Sequence, residues 1–271
     1  MSANAVSPEL FAALRRLRLG RIADTLPDRL ALAEAQGMAT EDLLTLLLTD
    51  EIARRDGAAV DNRVTAAKLD PEMRLERFDK SAKISFDKKL FAELCSLRFL
   101  HDHRHVVILG AVGVGKTFIA NALGHLACRH RYDVRFLRAD QMLSVLRKSR
   151  LDNSHDAEMA ALCSVDLLVV DDFALEPMSR EESKDIYQLF VERTGRASTI
   201  ITSNRDTAEW IRMFDDVLLA QSAIDRFMNA AYDLVIEGES YRPRLKPKLE
   251  TDPTPDAPVD KRPGKARRRR T

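Results

Sequence analysis

The chain has 271 residues, 45% hydrophobic and 31% charged, which suits a soluble globular protein of one large domain or two modest ones. Its 43 lysines and arginines against 42 acids leave a net charge of +1, so bulk charge points to no polyanionic partner. Three widely spaced cysteines, Cys95, Cys128 and Cys163, form no C-x-x-C pair, which argues against a disulfide framework or a zinc site and fits buried free thiols in a reducing cytoplasm.

The N-terminal residues lack a basic start followed by an apolar signal core, and the richest apolar run, Leu43 to Leu48, is too short to span a bilayer. A cytoplasmic protein without membrane contact is expected. Ser7-Pro8-Glu9 is a helix start, and Leu10, Phe11, Leu14, Leu17 and Ile22 recur near helical spacing. A second helix is expected from Pro27 to about Ala35, ending at Gly37. A third opens at Thr40-Glu41-Asp42 and carries Leu43, Leu44, Leu47, Leu48 and Ile52. Residues 1–70 thus read as a small all-helical module whose apolar faces need partners, fit for oligomerisation or for contact with a partner or DNA. Asp70-Pro71 marks a boundary, and Lys89 to Leu100 adds another helix.

From His105 the period changes. The β-rich runs Val106–Leu109, Val134–Leu137, Leu167–Val170 and Ser198–Thr202 alternate with helical stretches, which predicts an α/β domain over 71–247 with a parallel sheet between helices. Residues 248–271 hold eight basic and four acidic residues among prolines, a net +4, and read as a disordered basic tail.

The segment from Gly110 to Thr117, GAVGVGKT, fits the phosphate-loop pattern G-x-x-x-x-G-K-[ST] between an expected strand and helix. Glycines let backbone N–H groups curl around a triphosphate, and the helix N-terminus adds the positive end of its dipole. Lys116 supplies a point charge for the β- and γ-phosphates, and Thr117 offers a hydroxyl to Mg²⁺. The residues expected to hold ATP are Gly110, Ala111, Val112, Gly113, Val114, Gly115, Lys116, Thr117 and Phe118. Leu167-Leu168-Val169-Val170-Asp171-Asp172 supplies the second half of such a site. The apolar run suits a central parallel strand, and two acids at its end have no packing reason to be there. Asp171 is expected on Mg²⁺ with Thr117, and Asp172 on the attacking water. At the next strand end, Asn204 is a candidate for the γ-phosphate or that water. An asparagine after a strand is by itself an ordinary turn residue, and its place among the strands gives it weight.

From Arg77-Phe78-Asp79 to Arg242 the chain resembles the IstB-like ATPases, transposition helpers of bacterial insertion sequences in the AAA+ superfamily, close to the DnaC helicase loaders. The matching pieces are GAVGVGKT at 110–117, LLVVDDF at 167–173, TSNR at 202–205 with Glu209-Trp210, AIDRF at 223–227 and GESYR at 238–242. LRLGRIADTL and EAQGMATEDLLTLLL also resemble the family's N-terminal module. The resemblance implies an AAA+ P-loop NTPase that hydrolyses ATP with Mg²⁺. It also implies a homo-oligomer on double-stranded DNA that recruits or regulates a transposase encoded by the same element. By position, Arg226 in AIDRF resembles an arginine finger that reaches a neighbour's ATP, and Arg242 in GESYR resembles a sensor arginine acting in cis. Ala174 departs from the family, which often has glycine there, and this bears on the local loop geometry. A DnaC-like helicase loader, or a nucleotide-switched adaptor with little hydrolysis, are the alternative readings; Asp172 in place of the more usual glutamate keeps the adaptor open. Candidate DNA contacts are Arg129, Arg131, Arg147, Lys148, Arg150 and the tail, whose charge would bind phosphates in a salt-dependent way.

Overall fold

The computed structural model describes residues 6–79 and 81–245; the basic tail, 248–271, lies outside the described residues. Three helices come first: α1 (Pro8–Arg16), α2 (Ile22–Gln36) and α3 (Thr40–Ala66). Ser7 caps α1 by accepting the Leu10 N–H at 3.2 Å. The apolar spacing that runs on to Ile22 spans a break, because α1 stops at Arg16 and Arg18 turns left-handed at φ 58°. The second helix starts five residues ahead of Pro27, which lies inside it and forfeits one backbone bond. Ile22, Leu26 and Leu47 form a small core where α1, α2 and the first half of α3 meet.

The rest alternates: β1 (Ile84–Ser85), α4 (Lys88–Cys95), α5 (Arg98–His101), β2 (His105–Gly110), α6 (Lys116–Arg129), β3 (Val134–Arg138), α7 (Ala139–Ser149) and α8 (His155–Ser164). Then come β4 (Leu167–Asp171), α9 (Arg180–Arg193), β5 (Ser198–Ser203), α10 (Thr207–Trp210), α11 (Val217–Met228) and β6 (Ala231–Gly238). The sheet order is β1-β6-β2-β5-β4-β3, parallel from β6 to β3, with the two-residue β1 added antiparallel at the edge. Period-two alternation sends Val107, Leu168, Val170 and Ile201 to one face and Val106, Ile108, Leu167, Val169 and Ile200 to the other. Helices α7, α8, α9 and α11 cover the first face, and α6 with the end of α3 covers the second. No helix of the described residues is long and apolar enough to cross a membrane. Cys128 is buried, Cys95 and Cys163 are half-buried, and all three are free thiols.

The expected boundary at Asp70 is clamped to α6. The Asp70 N–H donates to Asn121 Oδ1 at 3.0 Å, and His125 Nε2 donates to the Asp70 carbonyl at 2.8 Å. Val64, Ala67 and Leu69 join the core beneath α6, so α3 belongs to both the small helical unit and the sheet domain.

His105, fully buried at the start of β2, stacks on Phe227 with ring centroids 4.3 Å apart. Its Nδ1 accepts the Thr199 N–H at 3.2 Å. Burial, with the nearby Arg193 and Arg104 charges, pushes its pKa down to about 3. Between that value and the ordinary pKa near 6.5 the unfolded chain binds the proton that the folded chain refuses, so stability falls as pH falls through this window. From pH 7.5 to 5 this group is expected to remove about 2 kcal/mol. Urea unfolding of the parent and His105→Gln at both pH values checks it: the variant's acid loss should be smaller by that amount.

Candidate nucleotide site

The C-terminal ends of β2, β4 and β5 meet along one sheet edge. The order of these strands departs from chain order there, which opens the crevice where α/β sheets take their ligands. The loop after β2 curls into the start of α6. At Gly113, φ is 86° and an added Cβ would lie 2.1 Å from Ser240 Oγ, so only glycine fits against the segment after β6. The Tyr241 N–H donates to the Gly113 carbonyl at 2.8 Å and fixes that approach.

Lys116 is buried, and its Nζ donates to the carbonyls of Gly110 at 2.8 Å and Ala111 at 2.9 Å, bending over its own loop. Burial lowers its pKa, the Asp172 and Asp171 carboxylates oppose that, and the Arg242 charge adds to it. The Thr117 hydroxyl lies 3.0 Å from both oxygens of Asp171. Asp171 also accepts the Thr202 hydroxyl at 2.5 Å, and burial holds its carboxyl above the usual carboxylate range despite these hydroxyl donors. A hydroxyl facing a buried carboxylate is an all-oxygen donor set, which fits Mg²⁺.

Asp172 and Ala174 both stand in left-handed conformations, φ 55° and 57°, around the buried Phe173. A left-handed backbone at Ala174 is the geometry in which glycine would be unstrained. The turn is nonetheless fixed: the Asp172 N–H donates to Thr202 Oγ1 at 3.0 Å, and the Phe173 N–H to the Thr202 carbonyl at 2.9 Å. Trp210, fully buried, packs edge-on to Phe173 at 4.8 Å, and its Nε1–H donates to Ser203 Oγ at 3.2 Å. Ser203 in turn donates to the Phe173 carbonyl at 2.9 Å. Strain of this kind persists at sites where surrounding contacts over-determine it.

Asn204 is exposed just past β5, the strand between β2 and β4, and so lies on the same edge as the phosphate loop and Asp171. Arg242 reaches the phosphate loop from the other side, its Cγ 3.5 Å from where a Gly113 Cβ would stand. Arg226 stands apart. It is exposed on α11 and makes no ion pair among the described residues.

Three features of the site were not legible as such. Thr202 lies in the TSNR motif, yet its bonds to both strand-end acids appear only in the fold. Ser240 sets the glycine requirement at Gly113. A cavity of about 100 Å³ beside Gly115, walled by Phe78, Ile84, Val114, Phe118 and Tyr241, has the apolar lining to take a planar base next to the phosphate loop. Among the DNA candidates, Arg150 donates to the buried Asp185 at 2.5 Å, with His155 on the same oxygen at 3.0 Å. Arg129, Arg131 and Arg147 pair with Glu76, Asp56 and Glu182, while Lys148 is exposed.

Residues 12–250 match the sequence pattern of the family described as IstB-like ATP binding protein. An insertion-sequence ATP-binding protein of Mycobacterium tuberculosis is 36% identical over 242 residues, covering 89% of this chain and 96% of that one. The ATP-binding protein of insertion sequence IS21 from Pseudomonas aeruginosa is 32% identical over 240 residues, covering 89% and 91%. Among solved structures, the DnaC helicase loader aligns with a TM-score of 0.52 at 19% identity, over 61% of this chain and 97% of that one. The replication initiator DnaA bound to AMPPCP and single-stranded DNA aligns with a TM-score of 0.51 at 22% identity, over 63% and 51%. At those identities the likeness is one of fold, that of the AAA+ proteins.

Proposed function

The chain belongs to the IstB-like ATP-binding proteins of insertion sequences, and from that premise we propose that it is a Mg²⁺-dependent ATPase that assembles on duplex DNA and recruits or regulates a transposase. The observation that carries this reading is the Thr117 hydroxyl set against both oxygens of the buried Asp171, beside a glycine loop and its lysine. Residues 71–247 hold and hydrolyse ATP; residues 1–70 serve neighbouring subunits, DNA or the transposase.

Lys116 exchanges its two loop carbonyls for phosphate oxygens of ATP. Thr117 and Asp171 hold Mg²⁺, which when bound neutralises charge on the β- and γ-phosphates. Asp172 accepts a hydrogen bond from water in line with the γ-phosphate, and Asn204 steadies that water or the γ-phosphate itself. Arg242 reads the nucleotide in cis. Arg226, without an ion pair among the described residues of its own subunit, meets the ATP of the next one. The apolar wall of Phe78, Phe118 and Tyr241 takes the adenine.

A fluorescent ATP analogue and a phosphate-release assay, each with and without duplex, test this. Asp172→Asn should bind ATP like the parent and lose turnover by about a hundredfold or more. Asp171→Asn should demand more Mg²⁺. Equal turnover in the parent and both variants would make the acidic strand end structural. ATP binding without turnover on DNA in the parent would make the chain a nucleotide-switched adaptor.

A further inference from the structure

Seven residues, Arg15 to Arg21, hold four arginines and no acid in a chain whose net charge is only +1. Arg15 and Arg16 close the last turn of α1, where cations offset the helix dipole. Arg18 and Arg21 lie past the helix end and have no such duty.

The turn that carries them has the bonds of a Schellman helix end: Leu19 N–H to the Leu14 carbonyl at 2.7 Å and Arg18 N–H to the Arg15 carbonyl at 3.0 Å. Its left-handed position is ordinarily glycine, because a β-carbon is strained there. Here it is Arg18, at φ 58°. The Arg18 carbonyl accepts from the Arg55 guanidinium, which is itself held by the buried Glu51. The backbone is thus pinned in a conformation that costs stability while it carries a cation.

Arg15, Arg18 and Arg21 line an open concavity of about 410 Å³ with Phe11, Gly20 and Asp24. The Arg15 guanidinium sits 5.7 Å from the Phe11 ring centroid, and a Cβ on Gly20 would come within 3.3 Å of Arg15 Cγ. Among the described residues Arg15 and Arg18 make no ion pair, and Arg21 makes only an exposed one with Asp24 at 3.4 Å. Such a pair is weak and easily exchanged.

We infer that this turn is a phosphate-backbone site, in which Arg15, Arg18 and Arg21 take phosphate oxygens of duplex DNA. The concavity is open, and three of its six lining residues are arginines. It offers guanidinium forks that match phosphate oxygens, and no enclosed apolar pocket to bury the side-chain anchor of a protein partner. Phosphate contacts of this kind hold and orient the duplex without reading its bases. The inference rests on the DNA reading above and adds a folded DNA-binding turn, distinct from the tail, in the helical unit.

The test is fluorescence anisotropy of a labelled duplex with the full chain over a salt titration. The triple variant Arg15→Gln, Arg18→Gln, Arg21→Gln should weaken binding at least tenfold at low salt. It should also flatten the slope of log affinity against log salt by about 0.9 for each phosphate that is no longer neutralised. Arg18→Gly alone should move two readouts in opposite directions: the thermal midpoint rises by about 2 °C as strain is relieved, while duplex affinity falls. A merely structural arginine would not produce that pairing. An unchanged salt slope in the triple variant, with ATP binding retained, overturns the inference and leaves the DNA reading standing. So does intact duplex binding with loss of transposase capture. A parent that binds no duplex in any nucleotide state overturns both.

Discussion

Arg226→Ala is expected to bind ATP as the parent does and to lose DNA-stimulated turnover by about a thousandfold or more. In the proposed trans role its removal would take a positive charge from the γ-phosphate only where two subunits meet, and such a cation would act on charge that develops in the transition state. The structure supplies the geometric reason to look in trans: α11 displays Arg226 to solvent with no partner on its own chain among the described residues. A mixing experiment separates a trans role from a local one. Lys116→Ala subunits keep Arg226 but cannot hold ATP, while Arg226→Ala subunits hold ATP without a finger. Combined on duplex DNA, the two should recover part of the turnover that neither shows alone. No recovery, where co-assembly is demonstrated, would make Arg226 a surface arginine.

Arg193→Ala is expected to cost roughly 3–5 kcal/mol of stability and to lower the thermal midpoint by about 10 °C. The guanidinium is 1% exposed. It donates to the carbonyls of Leu162 at 2.8 Å, Cys163 at 3.2 Å and Val165 at 3.0 Å, to Thr199 Oγ1 at 2.9 Å and to the Ser198 carbonyl. Three of these acceptors lie at the end of α8, whose carbonyls have no partner within the helix. The other two begin β5. Burial lowers the pKa to about 10, so the cation is held by carbonyl dipoles. Truncation would leave those acceptors buried and unmet. Arg193→Lys should recover little, because one ammonium cannot reach acceptors spread around a planar fork. Circular dichroism melts of the two variants check this, and a loss below 1 kcal/mol in either would assign the arginine a minor role.

Legibility in the sequence tracked the range over which each feature is determined. GAVGVGKT and LLVVDD were readable because each is contiguous in the chain: the first is the loop from β2 into α6, the second is β4 with its polar end. The four expected strands are β2 to β5: β2 and β4 carry buried apolar runs, β5 is buried throughout around Ile200 and Ile201, and β3, at the sheet edge, keeps Val134, Phe136 and Leu137. β6 was not expected: Asp233 and Glu237 interrupt it, and only Leu234 and Ile236 are buried. The break after α1 was hidden because Leu14, Leu17 and Ile22 keep helical spacing across a turn. The wall of Phe78, Phe118 and Tyr241 draws on three distant segments, so no local pattern announces it. Arg150 looked like a free cation in a basic helix end, and its partner Asp185 lies 35 residues on. The motif around Ala174 did carry a true signal, since a family position favouring glycine proved to be left-handed.

The clamp at Asp70 gives α3 the mechanics of a lever. Asn121, which accepts from the Asp70 N–H, also donates to the Thr117 carbonyl at 2.9 Å, so the fulcrum is bolted to the first turn of the ATP-loop helix. From Val60, where α3 leaves the core, to Thr40 the rod extends about 30 Å at 1.5 Å per residue. A tilt of about 5° at the fulcrum therefore carries its far end about 3 Å, and the small helical unit built on that end travels with it.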